Sequence, residues 1–227
     1  MTHRLLPVSR SHRTVLPPLL VPHPVPSPPP QARSAILWGE PSVARMAARA
    51  AAAAVDGGMS VAIIDGAMAF DATTITAYAQ ARRVPPEQFL RHIHIARAFT
   101  CHQLVTLLCE RLDPLLTSHR VGLVILLGPC TTFFDENIPF KDAFLLSQRA
   151  LRKVDALRER GPLLLIAQRL DAYRTRRITF VHALVRAVEL GIWVRMVDGR
   201  RQVQLVKPKP SDNRGSFQPV QRSSRRR

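Results

Sequence analysis

Gly39, Glu40 and Arg45 stand where a short apolar run, Ile36-Leu37-Trp38, passes through Gly39-Glu40-Pro41-Ser42 into a thirteen-residue helical run from Val43 to Val55. A strand, a glycine-led turn and a helix opening on that turn is the layout in which backbone N–H groups and a helix dipole hold a phosphate. The pattern for that chemistry is G-x-x-x-x-G-K-[ST], and counted from Gly39 its last three places hold Ala44, Arg45 and Met46. Arginine replaces the phosphate lysine, alanine the second glycine, and a thioether the hydroxyl that binds magnesium. A hard cation wants oxygen, which methionine lacks. Arg45 can still meet a phosphate, but Ala44 lacks glycine's freedom at positive φ. The stretch therefore predicts a nucleotide-binding scaffold without hydrolysis.

A second cluster follows Gln168. Arg169, Arg174, Arg176 and Arg177, with Tyr173 between them, would suit a phosphate backbone and one stacked base. The competing reading is a solvated helix end. Other candidates read more simply. His92 and His94 are two apart and become a metal pair only with a third ligand, which the sequence does not identify. Asp135-Glu136 reads as a solvated loop, because acid is poor for phosphate contact. Arg149, Arg152, Lys153, Arg158 and Arg160 read as an exposed helix face, Ala47 to Ala54 as close helix-to-sheet packing, and Trp38 and Trp193 as core or edge packing. Cys101, Cys109 and Cys130 show neither C-x-x-C spacing nor a partner His-x3-His, which fits a reduced cytoplasm and no zinc site.

These residues need a framework to hold them, and 227 residues with 46% hydrophobic content can build a large core. Met1 to Ala32 is Pro-rich with Arg4, Arg10 and Arg13, and reads as a disordered or polyproline arm. Apolar runs at Ile36–Trp38, Val61–Asp65, Ile93–Phe99, Val121–Leu127 and Leu163–Ala167 alternate with helical periodicity at 43–55, 71–83, 101–116, 141–160 and 178–190. In the last long helices the expected inward residues are Leu104, Leu107, Leu108, Leu112 and Leu115, then Leu145, Ala150, Leu151, Val154 and Leu157. Ile192 to Val197 and Gln202 to Val206 flank Asp198-Gly199, a strong hairpin signal. Lys207 to Arg227 is a basic tail. Strands alternating with helices and closed by a hairpin predict a three-layer α/β domain over 33–206 with a mostly parallel sheet. The net charge of +17 favours a polyanion, nucleic acid first, although arginine-rich composition also arises as a proteome-wide bias. The Leu16–Val25 run is broken by prolines and cannot be a membrane helix.

Laid end to end, these elements resemble the ATPase core of the RecA-type recombinases, in the archaeal and eukaryotic strand-exchange branch and its paralogs. The most specific stretch is I-H-I-A-R-A-F-T-C-H-Q, Ile93 to Gln103, similar to that family's A-R-A-[FY]-N segment and the His-Gln pair after it. Val61 to Phe70 resembles its strand ending Asp-Thr-Glu-Gly-x-Phe, Leu163 to Gln168 its strand ending Asn-Gln, and Thr131 to Asp142 its first DNA-binding loop. The arginines after Gln168 stand at its second DNA-binding loop, and the Asp198-Gly199 hairpin at its terminal hairpin. The likeness covers Ile36 to Val206 and implies a RecA-like P-loop NTPase fold. It places the catalytic glutamate on Ala67, the magnesium-holding aspartate on Leu127 or Gly128, and the γ-phosphate-sensing glutamine on Gln168. Loss of metal ligand, metal-holding carboxylate and general base together removes both charge neutralisation and water activation.

The resemblance thus implies a catalytically silent protein, DNA-binding or recombinase-associated, in recombination or repair. Its implied nucleotide residues are Gly39, Glu40, Arg45 and Gln168, with ATP held without hydrolysis if it is held at all. Its implied partners are single- or double-stranded DNA and a RecA-family or other repair protein, in an oligomer or alone. The alternatives are a DNA-dependent ATPase with a rearranged site and a non-enzymatic interaction module.

Overall fold

The apolar runs line up as seven strands of one sheet in a computed structural model that describes residues 32–170 and 177–207. The strands are β1 (Ser34–Gly39), β2 (Ser60–Asp65), β3 (Ile93–Arg97), β4 (Val121–Leu127), β5 (Leu163–Arg169), β6 (Leu190–Val197) and β7 (Arg200–Lys207). Across the sheet they run β3-β2-β4-β5-β1-β6-β7. β1 pairs parallel with β5 and β6, β2 with β3 and β4, and β4 with β5, while β6 and β7 are antiparallel. The fold is α/β with a mostly parallel sheet and a C-terminal antiparallel hairpin, as the strand and helix runs predict.

The direction of chain travel decides which face each helix covers. From β1 through β2 to β3 the chain steps one way, with α1 (Ser42–Asp56), α2 (Ala72–Ala81) and α3 (Pro86–Leu90) between strands. It then steps back through β4, β5 and β6, past α4 (Cys101–Thr106), α5 (Leu112–Ser118), α6 (Phe140–Arg160) and α7 (Ile178–Ala187). Right-handed crossovers in opposite directions put the two sets of helices on opposite faces. One core accordingly joins Ala47, Ala51, Ile75, Ala79 and Phe89 to Leu37, Ile63, Ile125 and Leu165. The other joins Leu104, Leu108, Val154, Phe180 and Leu184 to Ile36, Ile64, Leu126 and Ile166. β4 and β5 are apolar on both faces because both are covered. Ala47, Ala48, Ala50, Ala51, Ala52 and Ala54 are all buried, so α1 does lie close on the sheet.

Several sequence expectations need correction. Ala32, assigned to the arm, is already buried in the core. β3 ends at Arg97, and Phe99 lies exposed beyond it. Helix does not run evenly from 101 to 116: Leu107–Arg111 is a π-helical turn between α4 and α5. Pro114 explains it, since proline lacks the amide for a regular bond and its ring crowds the carbonyl one turn back, which a wider turn relieves. Leu145, expected inward, is 55% exposed, because α6 buries the stripe Ala143, Ala150, Val154 and Leu157, which leaves it on the outer side. α7 stops at Ala187 and Leu190 opens β6. The hairpin turn is as expected, with Asp198 and Gly199 both at positive φ, 49° and 71°. The proposed arm and tail, 1–31 and 208–227, lie outside the described residues.

Candidate functional site

Ligands of open α/β sheets bind outside the carboxyl ends of strands where neighbouring connections leave toward opposite faces. Three such places occur here, between β5 and β1, between β2 and β4 and between β3 and β2. The first two bring Gly39, Gln168 and Gly128 to adjacent strand ends, with Ala67 across from Gly128.

The β1–α1 turn contains only Glu40 and Pro41, so the positions that would wrap a phosphate are already helical from Ser42. Its glycine serves the sheet. Gly39 has φ 129°, and a Cβ there would lie 1.9 Å from the Val194 carbonyl oxygen and 3.1 Å from Trp193 Cδ1. The amides are committed as well: Glu40 N–H donates to Val194 O at 3.0 Å, Pro41 has none, and Val43 N–H donates to Glu40 O at 3.2 Å. The Glu40 carboxylate accepts from the Ser42 hydroxyl and amide and, at 2.9 Å, from Arg201 Nε on β7. Burial pushes this carboxyl up, but the hydrogen bonds from Ser42 and Arg201 outweigh it and hold the group below its usual range. A carboxylate at the positive end of α1 is the chain's own anion where a phosphate would sit.

Arg45 is 68% exposed and stands 3.9 Å from the Asp71 carboxylate, while Met46 is buried under α1. The thioether is a core residue, and the arginine pairs with the carboxylate that caps α2 through Thr74 N–H. That carboxyl is held low first by the Thr74 hydroxyl and more weakly by Arg45.

The neighbouring strand ends are closed in the same manner. Asp65 is fully buried and accepts from the amides of Ala67, Ala69 and Phe70 at 3.2, 3.0 and 3.0 Å, with Arg97 Nε at 3.8 Å. It folds the loop after β2 back onto its own strand end. Gly128 has φ 55°, and a Cβ there would lie 2.2 Å from Ala67 Cβ, so the β2 and β4 loops touch at the positions where a glutamate and an aspartate were sought. Gln168 is buried; its carbonyl accepts from Cys130 N–H at 2.8 Å and its amide donates to Arg169 O at 2.9 Å. It joins β5 to the β4 loop.

Of the basic cluster, Tyr173, Arg174 and Arg176 lie outside the described residues, and Arg169 is exposed at the end of β5. Arg177 is a correction. It is 8% exposed, and its guanidinium donates to the carbonyls of Phe133 at 2.7 Å, Asp135 at 2.6 Å and Ile138 at 2.5 Å. It bolts the 131–139 loop to the start of α7 and cannot also hold a phosphate.

Beside that bolt stands a feature the sequence reading missed. Phe140 stacks on Phe180 (5.8 Å, 14°) and on Phe144 (6.3 Å, 25°), and both α6 rings are 44% exposed. The signal available was the i, i+4 spacing of two phenylalanines. His94 packs against His119 with centroids 4.1 Å apart, and burial, then His119 and His92, lower its basicity. Among the described residues no group of three or more His, Cys, Asp or Glu could hold a metal, and no helix is long and apolar enough to cross a membrane.

Fold and site together define an α/β domain whose strand-end crevices are filled by its own side chains. No protein-family model matches the chain, and no curated protein matches it either.

Proposed function

We propose that the chain is a catalytically silent RecA-like domain of the cytoplasm that binds DNA, or accompanies a recombinase, in recombination or repair. The observation that carries the silent half is the Glu40 carboxylate at the amino end of α1, anchored by Ser42 and Arg201. A triphosphate entering there would meet a fixed negative charge and no unused turn amide. The order of features supports the RecA-like half: the glycine-ended β1, the Asp65 loop, Ala96-Arg97-Ala98-Phe99, the glutamine ending β5 and the closing hairpin. The net charge of +17 and the stacked, half-exposed phenylalanines at the start of α6 support nucleic acid. Fluorescence anisotropy with labelled single-stranded DNA, with and without ATP and magnesium, is the test. The expected result is binding that weakens steeply with salt and ignores ATP. DNA-stimulated phosphate release that Arg45→Ala abolishes would overturn it in favour of a working ATPase.

Leu145 supports a second reading. Exposed on the same helix as Phe140 and Phe144, it adds apolar surface that stacking with bases does not require. A partner protein retained through Leu145 by a chain that binds no nucleic acid would favour an interaction module.

A further inference from the structure

We propose that the uncovered face of the β6–β7 hairpin is a binding surface for single-stranded nucleic acid, with Trp193 and Arg195 as its stacking platform. The inference rests on the nucleic-acid reading above and assigns it a place that reading leaves open.

Cross-strand register fixes the face. Trp193 pairs with Gln204, Arg195 with Gln202 and Val197 with Arg200, so these six side chains share one side of the ribbon. Trp193 and Val206 pack toward the core under α6 and α7, whereas Val203 and Leu205 pack toward the core under α1. Beyond Trp193 this side has no cover among the described residues: Arg195, Arg200, Gln202 and Gln204 are all exposed.

The exposed residues are also organised. The Arg195 guanidinium lies 5.0 Å from the centroid of the Trp193 ring, and its Nε donates to Gln202 Oε1 at 3.2 Å. A guanidinium held over an indole offers a cationic π surface to a base, and two amides beside it can reach base edges. The face holds two arginines and no acid; Asp198 sits in the turn.

Charge selects the occupant. Residues 208–227, which continue from β7, carry Lys209, Arg214, Arg222, Arg225, Arg226 and Arg227 against Asp212 alone, so like charge keeps the tail from being the ligand. Guanidiniums and amides do not suit an apolar partner. A duplex keeps its bases stacked inside and gains nothing from the platform, whereas a single strand can present them.

The test uses the full chain and a labelled oligothymidine. In a Trp38→Phe background the remaining tryptophan reports on the face, and its emission should be quenched as the strand binds. Arg200→Glu with Gln204→Glu, both exposed, should leave the melting temperature unchanged. Affinity for the single strand should fall about tenfold or more, and less for a duplex competitor. If the wild type binds and the double variant binds equally, with no quenching, the site is wrong while the nucleic-acid reading stands. If the wild type binds no nucleic acid, both fall. Should the double variant fail to fold, quenching in the Trp38→Phe protein still decides.

Discussion

Arg177 carries its charge into a site where protein carbonyls of Phe133, Asp135 and Ile138 take the place of water. Arg177→Ala would leave those acceptors without a donor, at about 1–3 kcal/mol for each that water cannot reach. A total near 3–5 kcal/mol is expected, seen as a lower urea midpoint. Arg177→Lys should recover little of it, because one ammonium cannot span three acceptors set by a planar fork. Nothing local in the sequence shows this role, since the three partners lie 39 to 44 residues upstream. Glu40 titrates below its usual value of 4.5, so the folded chain binds fewer protons there than the unfolded one. Its stabilisation is complete above that value and is lost as pH falls through the lowered one. Glu40→Gln should therefore melt earlier than wild type at neutral pH, by about 1 kcal/mol, with the two curves meeting in acid. The thiols sort by burial. Cys130 is enclosed and pushed far up by desolvation; Cys101 is raised first by burial and further by Asp135; Cys109 is only partly buried. Iodoacetamide followed by mass spectrometry should find Cys109 modified first.

Among the elements, β1 and the hairpin show how far local pattern reaches. The Asp198-Gly199 turn was legible because both residues tolerate the positive φ that a two-residue hairpin demands. The double-sided apolar strands β4 and β5 were legible because only a covered strand lacks a polar face. Gly39 was legible as a special residue but for another reason than the structure gives: the neighbour that forbids a Cβ is Val194 on β6, distant in sequence and adjacent in the sheet. Gly39→Ala should force β1 and β6 apart and add backbone strain at φ 129°, costing about 3 kcal/mol or more. A melting curve shifted by only a degree or two would show that β6 yields. Pro114 was visible as a residue, but its consequence, a widened turn at Leu107–Arg111, depends on both flanking helices staying packed on the sheet.

At the scale of the whole molecule, strand order escaped the sequence because apolar runs specify strands and not neighbours. Charge was open to reading from the start, and its distribution makes a last prediction. Segments 1–31 and 208–227 hold nine basic residues and one acid, so close to half of the +17 lies outside the described residues. Such charge binds phosphates through counterion release without regard to sequence or stacking. A hairpin platform should add a component that salt weakens less, since stacking releases few counterions. Trimming the chain to 32–207, which keeps all seven strands, should then lower affinity for single-stranded DNA and flatten its dependence on salt. The preference for single strand over duplex should survive the trim, because the residues that create it sit on β6 and β7. If the preference vanished with the ends, the ends would be the selective part and the folded domain their carrier.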